Sequence, residues 1–166
     1  MNRTVGTLRR AVLLGLLVVL SGCGFHLQGR LPLPESIRTL HVEAVDEQSD
    51  FTQALRASLA SSGAHLVEMS GPTAATLQIS TDRITERVLT VSARNLPTDY
   101  ELTYEVVVCV RGAGRELMAP ETVSLSRIYS FDETKLLAKD REKEILLDAL
   151  ARDMAGVVMR RLSSLQ

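Results

Sequence analysis

The sequence predicts an α+β domain: two helices packed on one face of a four-stranded, mostly antiparallel sheet, in the order β-α-β-β-β-α. Three observations carry that expectation. Residues 98–110, TDYELTYEVVVCV, alternate strictly and put Tyr100, Leu102, Tyr104, Val106, Val108 and Val110 on one face. Residues 132–162 carry a helical stripe of Leu147, Leu150, Met154, Val157, Val158 and Leu162. Between the alternating segments lies GAGR (112–115), a turn signal that folds neighbouring strands back on each other.

Each element follows from its residues. Two prolines in RLPLPE (30–35) predict an extended tether into the domain. IRTLHVEAV (37–45) is a strand with Leu40, Val42 and Ala44 on one face. SDFTQALRASLASSG (49–63) is a short helix: Asp50 is its expected cap with Gln53 three residues on, Phe51, Leu55 and Leu59 are its stripe, and Gly63 closes it. Residues 74–89 alternate through Leu77 and Ile79, but the apolar parity changes at Ile84 and Val88, so a bulge or bend is expected near Asp82. ETVSLSRIYSF (121–131) places Val123, Leu125, Tyr129 and Phe131 on one face, interrupted by Arg127. In the long helix, the acids Asp140, Glu142 and Glu144 are read in the first turns and Arg160 and Arg161 in the last, matching the helix dipole.

Little in the sequence suggests catalysis. His26, His41 and His65 lack metal-ligand spacing, so no metal or other cofactor is expected. No serine lies in a G-x-S-x-G elbow, and Gly112 and Gly114 lack a phosphate-loop context. Cys109 sits within the most apolar strand and reads as a small buried hydrophobe. Two cations stand in connections: Arg94 in SARNLPTDY and Lys139 in LLAKDRE. By residue type alone they are solvated surface charges.

The amino terminus supplies an address. Arg3, Arg9 and Arg10 precede the uncharged run AVLLGLLVVL and then small residues, the pattern of a secretory signal peptide. Leu20-Ser21-Gly22-Cys23 resembles the bacterial lipobox, so residues 1–22 are expected to be removed and Cys23 to be lipidated. The chain then divides into a leader (1–22), a lipidated cysteine with tether (23–35) and one domain (36–166). Losing three of 19 basic residues leaves 16 against 20 acidic ones. The mature protein therefore lacks the basic field of a nucleic-acid binder. Gly24 follows the cysteine rather than Asp, which by the rule for bacterial lipoproteins directs the chain to the periplasmic face of the outer membrane.

Together, GCGFHLQG (22–29), the proline-bearing tether, the loop SARN before a tyrosine-bearing strand and SFDETKLLAKDRE (130–142) before a long helix resemble the LptE family of lipopolysaccharide-assembly lipoproteins. The resemblance spans essentially the whole mature chain. It implies a sheet with packed helices, no enzyme activity, a one-to-one complex as a plug inside the LptD β-barrel, and delivery of lipopolysaccharide to the outer leaflet. It also implies that Arg94 (SARN) and Lys139 (LAKD) touch lipopolysaccharide. That role suits the chemistry of phosphate and carboxylate groups, which arginine grips bidentately and lysine meets as a point charge. The chain departs from the family pattern at Leu96-Pro97 and in a short carboxy-terminal tail. The competing expectation is a periplasmic-face lipoprotein that acts as a scaffold or binds another amphiphile without a barrel partner.

Overall fold

The structure, a computed structural model, describes residues 32–130 and 136–165. The leader, Cys23, His26 and Phe131 lie outside the described residues. The elements are β1 (Thr39–Ala44), α1 (Asp50–Ser61), β2 (His65–Val67), β3 (Ala75–Val91), β4 (Pro97–Gly112), β5 (Arg115–Ser130) and α2 (Leu136–Ser163), with a 3₁₀ turn at Glu35–Ile37 before β1. The sheet is five-stranded and mixed, in the order β2-β1-β3-β4-β5. β1 runs parallel to both neighbours, while β3, β4 and β5 form the expected antiparallel meander.

The expected four strands are thus corrected to five. The additional strand has only three residues, all exposed, so no apolar alternation announces it. It forms because the chain leaving α1 runs back along the free edge of β1. His65 N–H donates to the Arg38 carbonyl at 2.8 Å, and the ring Nδ1 of His41 lies 3.1 Å from the Val67 carbonyl oxygen. This strand satisfies backbone groups rather than burying side chains.

Helix α1 buries Phe51, Leu55 and Leu59 completely. Its cap is Ser49, not the expected Asp50: the Ser49 hydroxyl accepts the Thr52 N–H at 3.1 Å. Gly63, at φ 88°, turns the chain out of the helix, and the Ala64 N–H closes back on the Leu59 carbonyl at 3.0 Å. Helix α2 spans Leu136–Ser163; its first turn carries no acid, Asp140, Glu142 and Glu144 follow in the next turns, and Arg160 and Arg161 occupy the last.

Both helices pack on each other and on one sheet face. The core joins Leu40 and Val42 of β1, Leu77 and Ile79 of β3, Leu102, Tyr104, Val106, Val108 and Val110 of β4, Val123 of β5 and, from α2, Leu150, Met154, Val158 and Leu162. Cys109 is buried in β4 on the opposite face, beside Gln78. The parity switch in β3 is a bulge: Ile79 pairs with Val108 and Thr81 with Val107, leaving Ser80 as the extra residue, two positions before Asp82. The β4–β5 hairpin closes at Gly112–Arg115, where Ala113 and Gly114 both take positive φ. The core begins at this hairpin end, where the chain also enters through the 3₁₀ turn and buried Ile37.

Candidate functional site

At the far end of the sheet, β3 and β4 are joined by Ser92–Leu96. A single serine organises this loop. Its backbone N–H donates to the Leu96 carbonyl at 2.8 Å and its carbonyl accepts from Asn95 at 2.9 Å. Its hydroxyl also accepts the N–H groups of Arg94 and Leu96, each at 3.3 Å. Asn95 takes φ 62°, a left-handed conformation that asparagine tolerates well. The side chains of SARN are therefore distributed by role: Ser92 and Asn95 make the turn, and Arg94 is left at its exposed tip. Arg94 forms no ion pair with any described residue. Around it stand exposed apolar side chains, Val91 at 55% and Leu96 at 40% exposure, with Val88 and Leu89 behind them.

Lys139 belongs to the same end. Its backbone lies in α2 one turn before Lys143, and the Lys143 ammonium pairs with Glu86, two residues short of Val88 on the helix-covered face of β3. Glu86 also accepts the Tyr129 hydroxyl at 3.1 Å, and Tyr129 stacks on Tyr100 at a centroid distance of 5.4 Å. Burial, followed by the Glu86 carboxylate, pushes the Tyr129 pKa up to about 12. The two cations predicted from sequence thus belong to one end of the molecule. The Glu86–Lys143–Tyr129 cluster was not anticipated; its one sequence signal was the parity switch, which turns Glu86 toward the helix side.

The second polar cluster lies nearer the core. A cleft of about 390 Å³ opens between α1, β3 and α2, lined by Asp46, Ser49, Asp82, Tyr104 and Leu147 among others. Asp82 accepts the Ser49 hydroxyl at 2.5 Å and the Tyr104 hydroxyl at 2.7 Å. Burial first, and then this carboxylate, drive the Tyr104 pKa well above the ordinary tyrosine range. The Asp82 carboxylate ties the α1 cap to the middle of the sheet. The Ser49 hydroxyl is thus committed to a link between the helix cap and the sheet. Among the described residues no group of histidine, cysteine, aspartate or glutamate side chains could hold a metal ion, and no helix is long and apolar enough to cross a membrane.

Residues 37–162 match the family model described as LptE, lipopolysaccharide-assembly. This chain belongs to the LptE family. Among curated relatives, the LPS-assembly lipoprotein LptE of Pectobacterium atrosepticum is 25% identical over 153 residues, covering 91% of this chain and 83% of its own length. That of Yersinia enterocolitica is 28% identical over 154 residues, covering 91% and 73%. Two solved lipoprotein structures are similar to this LptE-family fold. Lipoprotein B of Nitrosomonas europaea superposes with a TM-score of 0.71 at 25% identity, over 85% of this chain and 91% of its own. The rare lipoprotein B of Shewanella oneidensis gives 0.68 at 25% identity, over 76% and 94%. LptE-family membership agrees with the reading of the chain as a lipopolysaccharide-assembly lipoprotein rather than an enzyme.

Proposed function

We propose that this LptE-family chain is lipidated at Cys23, held at the periplasmic face of the outer membrane, and seated one-to-one in an LptD-like β-barrel. There it supports the barrel and contacts lipopolysaccharide through Arg94 and Lys139. The observation that carries the contact is the hairpin tip, where a guanidinium with no ion pair among the described residues is flanked by exposed Val91 and Leu96. An amphiphile with phosphates next to acyl chains needs that combination: a fork of donors for the anion and apolar surface beside it. The net negative charge of the mature chain is compatible with this, because the rest of the surface would meet protein rather than glycolipid.

The parts of the proposal separate experimentally. Replacing Arg94 and Lys139 together by Asp in the purified protein lowers lipopolysaccharide binding by well over tenfold if these residues hold the anion; unchanged binding ends the residue assignment. Affinity isolation of the tagged full chain from detergent extract recovers a large barrel protein in equal amount. Recovery of the chain alone favours the scaffold reading instead. Cys23→Ala in a strain lacking the barrel is released to the soluble periplasmic fraction, and continued membrane retention refutes the anchor.

A further inference from the structure

The strand β5 closes the sheet on one side, and among the described residues no strand pairs with its outer edge. Long free edges are usually blunted by prolines, charges or bulges. Here the bulges and the proline are confined to the hairpin half, and the regular half carries only the charges of Glu121 and Arg127. Register shifts lie opposite Val108–Arg111, and Pro120 removes a backbone donor. From Glu121 to Ser130 the pairing with β4 is regular, with no proline and no bulge.

That regular stretch is complementary to itself. Residues 121–127 read ETVSLSR. Laid antiparallel on a second copy about Ser124, Val123 meets Leu125, Thr122 meets Ser126, and Glu121 meets Arg127. The face assignment agrees as well: Glu121, Val123, Leu125 and Arg127 all lie opposite helix-side residues of β4, namely Val108, Val106, Tyr104 and Leu102. Like positions thus meet on like faces, as antiparallel pairing demands. The charges outside this stretch extend the match. Within one chain Glu121 pairs with Arg161 at 3.2 Å and Arg127 with Asp153 at 2.6 Å. All four side chains keep more than a third of their surface exposed. Joining two copies would line up Arg161, Glu121, Arg127 and Asp153 in alternating sign, twice, across the two-fold axis.

We infer that β5 is a self-association edge, through which two copies of this chain join antiparallel about Ser124 into one continuous ten-stranded sheet. The interface is isologous, so each copy presents the same heptapeptide to the other. The contact is narrow, and the dimer forms in a concentration-dependent way rather than as an obligate assembly. It belongs to the chain free of a barrel, so it goes beyond the one-to-one barrel reading and does not depend on it.

The test uses the full chain extracted in mild detergent and purified without a partner, with the unsubstituted chain as background for its own thiols. Ser124→Cys, lying on the axis, forms an intermolecular disulfide under mild oxidation, because directly opposed Cβ atoms lie about 4.5–5.5 Å apart. Thr122→Cys alone does not, but does so when mixed with Ser126→Cys. Arg83→Cys on the open sheet face is the control for random collision. In sedimentation, Glu121→Arg weakens association about tenfold, through two repulsive pairs per dimer, and Glu121→Arg with Arg127→Glu restores it. A monomer at all concentrations, or crosslinking as strong at position 83 as at 124, overturns the inference. Circular dichroism of each variant separates loss of pairing from loss of fold.

Discussion

The two ends of the same three strands are built on different terms. Toward the hairpin at Gly112–Arg115, β3 and β4 carry fully buried Leu77, Ile79, Val106, Val108 and Val110 under both helices. Toward the loop at Ser92–Leu96, the same strands carry exposed Ile84, Val88, Leu89 and Val91, joined by the exposed Ile128 of β5. What holds that outer end is polar and cross-strand: Arg83 with Glu105 at 2.7 Å, Arg87 with Glu101, the Thr103–Ser126 hydroxyl pair at 2.9 Å and the stacked tyrosines. A core contributes stability in proportion to the area it removes from water, whereas exposed ion pairs contribute little. The comparison teaches that one end is built to stay folded, and that the outer end can spend its side chains on contact.

The sharpest break of that contrast is a matched truncation. Leu102→Ala, in the core, lowers the unfolding free energy in urea by about 2–5 kcal/mol, while Ile128→Ala at the outer end lowers it by no more than about 0.5 kcal/mol. Comparable losses would mean that the outer end is packed after all. Between the two ends, Tyr104→Phe removes the hydroxyl that donates to Asp82 and costs about 1–3 kcal/mol in the same measurement.

Alkaline titration probes the outer cluster. Folded Tyr129 keeps its proton up to about 12, whereas an unfolded tyrosine loses it near about 10. Its contribution is therefore full below about pH 10 and is lost as the pH rises toward 12. Tyr104 is pushed further in the same direction, so the unsubstituted chain and a Tyr129→Phe variant both soften in alkali. Tyr129→Phe shows the shallower decline in urea midpoint between these pH values. The smallest effect belongs to Arg87→Gln, at about 0.5 kcal/mol or less, because the Arg87 side chain is 70% exposed in its pair with Glu101.

Much of this was legible in the chain because burial on one face of a strand or helix leaves a period in the sequence. The β4 alternation, the stripes of both helices, the Gly63 stop and the parity switch in β3 all have that origin. Strand β2 left no such mark, since it contributes backbone pairing and exposed side chains. The cap of α1 was misassigned because Ser49 and Asp50 are equally plausible caps locally. What favours Ser49 is Asp82, which receives its hydroxyl from 33 positions away. At the outer end, Arg94 was legible as a loop cation, and Ser92 as the organiser of its turn was not, because a serine hydroxyl takes that role only when the strands on either side hold the loop closed.

The extra residue in β3 sets the phase of everything beyond it. Every position from Thr81 to the next irregularity, at Leu89, owes its choice of face to Ser80. Substitutions in that stretch change one contact at a time, and most would be tolerated on an exposed ribbon. Were Ser80 instead to pair as an ordinary ladder residue opposite Val107, the two faces would exchange at once, putting Arg83, Thr85 and Arg87 under the helix and turning Asp82, Ile84 and Glu86 outward. In such a protein, the register of the strands is under tighter constraint than most of the letters within them.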